Sequence, residues 1–255
     1  MSIVSIIVAV LPIVLIGLFI YNNDRFKEPS NLLFKLFMFG ILSCLPAVFL
    51  ETIIGGFFPE MEYMNFFEMF LYAFIAIAMV EEVCKWFFLY KISYTHDEFD
   101  SLYDMIVYAS FVALGFACFE NILYVYSNGI LTGLVRAISA VPGHVCDGIL
   151  MGSYLSLAKV NQIRGNYSLS KKFKIYSLVI PIIAHGIYDF CLFWGRPIFI
   201  FIFVIFVVSI FIICFRKVKE ISSKDLIFKY KSNYCTNCGL RVITRFCTRC
   251  GKENK

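Results

Sequence analysis

Seven stretches of this chain are mostly apolar for at least the length a bilayer demands. They run roughly over residues 3–20, 32–58, 64–92, 104–126, 130–158, 174–195 and 197–215. A helix that crosses the hydrocarbon layer needs about 20 such residues. In lipid every backbone N–H and C=O must find a partner inside the protein, which leaves helices or closed barrels. These runs are continuous and do not alternate, so they predict an all-α, polytopic membrane helix bundle. Of the 255 residues, 60% are hydrophobic and 16% are charged. A soluble domain carries about 25% charged residues, so an ordinary soluble enzyme and a disordered chain are excluded. Pro46 and the pair Gly55-Gly56 are candidate breaks in the second span. Only the turn Gly195-Arg196-Pro197 separates the last two.

The basic residues give the orientation. Met1–Val10 carries no charge, while Arg25 and Lys27 follow the first span. A cleavable signal peptide has the reverse order. With the N-terminus outside, Arg25, Lys27, Lys35, Lys85, Lys91, Lys159, Arg164, Lys171, Lys172 and Lys174 fall on the cytoplasmic side, together with every basic residue after Phe215. Only Arg136 and Arg196 fall outside. The positive-inside rule therefore predicts seven spans, N-out and C-in. A formal charge of +5 raises nucleic acid as a partner. The charges lie in loops and in a basic tail beside the membrane, which argues against it.

Ionisable groups sit inside four consecutive spans. The third holds Glu81-Glu82-Val-Cys-Lys85. The fourth holds Phe116-Ala-Cys-Phe-Glu120-Asn121. The fifth holds His144-Val-Cys-Asp147-Gly148, and the sixth holds His185-Gly-Ile-Tyr-Asp189. A charge at the bilayer centre costs about 2.5–3.5 kcal/mol on insertion scales, so such residues need partners and mark function. Residues four apart share a helix face. Glu81 can thus pair with Lys85, and His185 and Asp189 point the same way. Gly148 shares a face with His144 and leaves room for close approach. Glu81 and Glu82 are about 100° apart, so one faces a site and the other supports it.

Carboxylates and imidazoles facing one another in a dry cavity suit hydrolysis. A carboxylate can take a proton from water as general base. Two imidazoles and a carboxylate can also bind zinc, whose water then ionises near neutrality. Polar groups joining helices, or a proton or ion path, use the same residue types. An ion-coupled transporter often carries matched broken helices in two halves, and no such symmetry is visible here. A sensor or scaffold that keeps the architecture without the chemistry is the other alternative.

The four motifs, in this order on successive spans, resemble the PrsW family of intramembrane proteases, whose pattern is EExxK, FxxxEN, HxxxG or HxxxA, and HxxxD. Residues 99–108, Phe99 to Tyr108, also look like the family, and the resemblance covers roughly residues 1–215. It implies a multi-pass protein of the bacterial cell membrane that cuts another membrane protein, as in removal of an anti-sigma factor. More distantly the chain is similar to the CAAX-processing endopeptidase group. By that likeness Glu81 with His144 activates the attacking water, and His185 with Asp189 stabilises the oxyanion. A carboxylate donates to an oxyanion only when protonated, so Asp189 instead orients His185 or joins a metal. Glu82 and Glu120 join the catalytic set as supports or metal ligands, and Lys85, Asn121, Asp147 and Gly148 are supporting candidates. Glu120, His144 and His185 are the candidate ligands of a catalytic zinc.

Cysteine usage divides the chain. Six of the ten cysteines are scattered singly through the spans. The others form Cys235-Thr-Asn-Cys238-Gly and Cys247-Thr-Arg-Cys250-Gly. Two CxxC-Gly knuckles at this spacing predict a small ribbon with one structural zinc on four sulfurs. The expected organisation is a membrane-embedded domain over 1–219, a linker over 220–233 and a cytoplasmic zinc ribbon over 234–255. The ribbon would dock a cytoplasmic protein partner.

Overall fold

The computed structural model describes residues 2–223, 225, 237–238, 247 and 249–252. Two long helices open the chain, α1 (Ile3–Asn23) and α2 (Ser30–Gly55). A short 3-10 turn, Met61–Tyr63, leads to α3 (Phe66–Leu71), a π-helical segment Tyr72–Met79, and α4 (Val80–Ser93). Then come α5 (Asp104–Asn128), α6 (Ile130–Ile138), α7 (Ala140–Ile163), α8 (Tyr167–Trp194) and α9 (Pro197–Ser223).

Among the described residues six helices are long and apolar enough to cross a membrane, with α6 and α7 counted as one. The remaining expected span, 64–92, is helical from Phe66 onward but built of three segments. Its start is fixed by a reciprocal cap: Asn65 Oδ1 accepts from the N–H of Phe67 and Glu68, and Glu68 Oε2 accepts from the N–H of Asn65 at 2.8 Å. The wider π turns that follow change which face later side chains present, a device found at functional sites. The second span runs through Pro46 unbroken and ends at Gly55. The fifth is interrupted at Ser139 (φ −121°, ψ −71°), which separates α6 from α7.

The buried helix at the centre is α5, with α2 on one side and α7 on another. Glycines set these approaches. A Cβ on Gly40 would stand 2.1 Å from the carbonyl oxygen of Val112, and one on Gly115 would stand 2.0 Å from that of Phe37. Across the other seam, a Cβ on Gly152 would stand 2.3 Å from the Met105 oxygen and one on Gly148 2.9 Å from the Ala109 oxygen. Membrane helices have no hydrophobic drive toward one another, so backbone approach at small residues supplies the packing. The helices α1 and α9 lie at the periphery and turn rows of Ile, Val, Leu and Phe outward, as a lipid-facing surface requires.

At the end of the bundle carrying the α1–α2 loop, acidic side chains gather. Asp24, Asp104 and Asp225 each bring an oxygen within 4.8 Å of the others. Ser101 and the N–H of Tyr103 donate to Asp225 at 2.9 and 3.1 Å, and Tyr108 donates to Glu28. The residues just beyond α9 are thereby tied to the start of α5.

Candidate active site

The polar groups of the four motifs converge in the half of the bundle away from the acidic gathering. They come from α4, α5, α7 and α8. The π-helical segment immediately before α4 aims the paired glutamates. Glu81 lines a cavity of about 510 Å³, while Glu82 is fully buried behind it.

Lys85 organises the pair. Its Nζ donates to Glu81 Oε2 at 3.1 Å, to Glu82 Oε1 at 2.6 Å and to His144 Nδ1 at 3.1 Å. An ammonium has three hydrogens, and these are three acceptors. His144 Nδ1 is therefore unprotonated, and its Nε2–H donates to Glu120 Oε2 at 2.7 Å. Glu120 is in turn ion-paired with Arg136 Nη2 at 2.8 Å. Arg136 lies over the ring of Tyr124 and donates through Nε to Asn121 Oδ1 at 3.2 Å.

His185 takes the other side. Its Nδ1 is 2.8 Å from Glu82 Oε1, which makes Nδ1 the donor. Its Nε2 lies 3.3 Å from Asp189 Oδ2, but out of line for a hydrogen bond, and that oxygen has no partner among the described residues. The two imidazole rings stand edge to face with centroids 5.3 Å apart. Glu81 Oε2 lies between them, 4.0 Å from His144 Nδ1 and 3.9 Å from His185 Nε2.

Glu81, Glu82, His144 and His185 thus each offer one ligand atom, all within 4.8 Å of one another. Glu120 stands outside this group and orients His144 from behind, as carboxylates commonly orient an imidazole that works on its other face. Asp147 lines the cavity with Oδ2 3.9 Å from His185 Nδ1. Gly148 serves the α5–α7 seam. Asn121 donates to the Ala9 carbonyl at 2.9 Å and so braces α1 against α5.

Two cavity residues lay outside the motifs. Arg136 was expected on the outer side, near the start of the fifth span, with no site role, and is the counter-ion of Glu120. Glu51, on α2, lines the same cavity, and its Oε1 is buried without a partner. Glu51 lies inside the expected second span, 32–58, where a carboxylate among apolar residues was the signal that could have found it.

At the C-terminus, sulfurs of Cys238, Cys247 and Cys250 lie within 4.8 Å of one another, with Cys238 and Cys247 3.5 Å apart. Gly251 adopts φ +71° and donates its N–H to the Cys247 carbonyl, a tight turn that suits glycine. Cys235, the expected fourth sulfur, lies outside the described residues.

The sequence matches the family model described as PrsW family intramembrane metalloprotease over residues 28–214. It is 39% identical over 209 residues to "Protease PrsW" of Oceanobacillus iheyensis, covering 82% of this chain and 92% of that protein. It is 33% identical over 211 residues to the protein of the same name from Geobacillus kaustophilus, covering 79% and 85%. Against that of Bacillus subtilis it is 34% identical over 175 residues, covering 68% and 76%. No solved structure matches the chain. A membrane-buried meeting of carboxylates and imidazoles is what peptide hydrolysis inside a bilayer calls for, and with this degree of likeness the chain belongs to the PrsW family of intramembrane metalloproteases.

Proposed function

We propose that this chain hydrolyses a peptide bond within or beside the membrane segment of another membrane protein, of the anti-sigma-factor type, with Glu81 as general base. The observation that carries this is the position of Glu81. Among the carboxylates of the described residues it alone lines the cavity and lies within 4.0 Å of both imidazoles.

Glu81 takes a proton from the attacking water as the water oxygen bonds to the scissile carbonyl carbon. The same proton then passes to the leaving amine nitrogen as the C–N bond breaks. Lys85 holds Glu81 in place and keeps Glu82 and His144 in register with it. Glu120 and Arg136 fix the tautomer of His144. With its Nδ1–H held by Glu82, His185 turns Nε2 to the cavity free of an aligned hydrogen bond, and in its doubly protonated form it donates from Nε2 to the carbonyl oxygen as charge develops there. Asp189 limits the rotation of that ring.

The donor set also fits a metal ion. His144, His185 and Glu82 make a two-histidine, one-carboxylate set, and Glu82 Oε2 is buried with no partner. Carboxylates at the site outnumber the fixed cations Lys85 and Arg136, which favours a further positive charge. These three residues would hold the ion, with His185 singly protonated, and the ion would act as a Lewis acid and ease ionisation of the attacking water. Lys85 uses the lone pair of His144 Nδ1 that such an ion would need, so the ammonium and the metal compete for one position.

The basic loops support an N-out, C-in orientation with a cytoplasmic tail. In that tail Cys235, Cys238, Cys247 and Cys250 would hold a structural zinc, and the ribbon would receive a cytoplasmic protein. Impermeant thiol labelling of Asn166→Cys and Ser222→Cys in intact cells tests the orientation: labelling of either overturns it.

The chemistry is tested with Glu81→Gln, His144→Ala and His185→Ala in proteoliposomes holding a single-span substrate. Each should lower cleavage by about 10²-fold or more with the protein inserted and folded. A well-folded Glu81→Gln enzyme that cuts at the wild-type rate would remove Glu81 from the role of base.

A further inference from the structure

Glu51 has no task in the chemistry above. It lies in the last turn and a half of α2, on a wall of the cavity shared with Val48, Met61, Tyr72 and Phe119. That wall is rigid, because α2 is pinned to α5 at the Gly40–Gly115 contact. Glu51 stands outside the group formed by Glu81, Glu82, His144 and His185.

An ionised carboxylate held away from bulk water needs a positive partner or a full set of donors. Glu51 finds neither among the described residues. Its Oε1 has no hydrogen bond, and no cation pairs with it within 4.0 Å. The nearby cations are committed. All three hydrogens of Lys85 point at Glu81, Glu82 and His144. Arg136 faces Glu120 and Asn121. The carboxyl is therefore uncompensated on the cavity wall, and a cation that enters beside it would hold it in its ionised form.

We propose that Glu51 is a specificity-determining residue: it binds a basic side chain, lysine or arginine, on the substrate segment beside the scissile bond. This rests on the proteolytic reading of the cavity, but it is a statement about which segment enters rather than about how it is cut. A neutral residue at the same place would leave the carboxylate unpartnered, and an acidic one would repel it. Glu51 is half-buried with its Oε1 enclosed, and a group held so without a partner selects for the ligand that supplies one.

The test uses the full chain in lipid nanodiscs and fluorescent single-span Leu/Ala peptides. One Lys, Gln or Glu is placed in turn at each position of the peptide. Binding is measured in the Glu81→Gln background, and cleavage separately with Glu81 present. At one or two adjacent positions Lys should improve affinity by about tenfold over Gln, and Glu should weaken it. With Glu51→Gln that preference should vanish, and with Glu51→Lys it should reverse in favour of Glu. Should Glu51→Lys fail to fold, the loss of preference in Glu51→Gln decides the matter. A Lys preference that persists in Glu51→Gln, or none in the parent protein, overturns the proposal. So does a uniform fall in cleavage of all peptides by Glu51→Gln with binding unchanged, which would make Glu51 part of the chemistry. Peptides that bind with the expected charge preference but are never cut would leave the subsite standing and bring down the proteolytic reading instead.

Discussion

The Lys85 ammonium stands 3.1 Å from His144 Nδ1, and that contact joins the paired glutamates of α4 to the histidine of α7. Lys85 is only 2% exposed, so its charge is matched inside the protein by Glu81 and Glu82. Removing one member of a buried ion group leaves the others uncompensated, at a cost of about 3–5 kcal/mol. Lys85→Met should therefore lower the thermal unfolding temperature in detergent and abolish cleavage together. Lys85→Arg should not restore activity, since a planar guanidinium cannot aim three hydrogens at these acceptors. Full activity in a folded Lys85→Met protein would mean the ammonium is dispensable.

The glycine seams give a stability prediction independent of chemistry. A methyl group on Gly115 would overlap the Phe37 carbonyl oxygen at 2.0 Å, backbone against backbone. Neither side is a flexible chain end that can turn away. Gly115→Ala should force α2 from α5 and cost about 1–3 kcal/mol or more. The same substitution at Gly143, where the nearest atom is Tyr188 Cε2 at 3.8 Å, should be nearly silent. Thermal unfolding of the two variants side by side reads this. Equal behaviour would mean the α2–α5 contact is looser than it stands.

Much of this site was legible in the sequence, for a physical reason. Charges are scarce inside apolar spans, so each one is conspicuous, and i,i+4 spacing ties Glu81 to Lys85 and His185 to Asp189 on one face. What was not legible depends on contacts between helices. Arg136 reads only as an outer-side cation near the start of the fifth span until α6 brings it to Glu120. Glu51 stands inside the expected second span and is conspicuous in that sense, but it has no ionisable neighbour at helical spacing, and its place in the cavity follows from the α2–α5 packing. Asn121 braces α1 through the Ala9 carbonyl, over a long stretch of chain. The interruption at Ser139 and the π-helical turns carry no glycine or proline at the break itself.

Glu28 predicts a pH dependence of stability. It lies in the loop between α1 and α2, and burial pushes its carboxyl from the ordinary 4.5 up to about 9, with Asp104 adding to the rise. Asp24 beside it is raised from 3.8 to about 6, again mainly by burial. A raised acid keeps its proton in the folded state after the unfolded chain has released it. Folding then takes up protons, and stability falls as pH rises. For Glu28 the fall runs between about 4.5 and 9, and for Asp24 between 3.8 and about 6. Unfolding temperature should therefore drop steadily from pH 6 to pH 9. Glu28→Gln mimics the protonated form and accepts from Tyr108 as before, so its curve should fall less steeply over that range. A wild-type curve already flat from pH 6 to pH 9 would show that Glu28 is ionised in the folded protein.

The cysteine cluster predicts a metal that can be removed without harming the membrane bundle. Cys238, Cys247 and Cys250 bring three sulfurs together, and the spacing of Cys235 from Cys238 supplies a fourth in sequence. Four thiolates close the coordination sphere of zinc, so such an ion is structural. The segment is too short for a hydrophobic core, and metal binding supplies the folding free energy of such modules, about 10–16 kcal/mol near neutral pH. The family match ends at residue 214, before the first of these cysteines. Purified protein should thus hold one zinc more than the Cys247→Ser variant, measured by metal analysis after preparation without chelator. The variant should keep the unfolding temperature of the bundle, because the spans satisfy their own backbone groups. A chelator mild enough to spare the buried Glu–His site should free the tail to protease digestion while residues up to Ser223 stay protected. Equal zinc content in wild type and Cys247→Ser would place all bound metal elsewhere and leave the cysteines without a ligand.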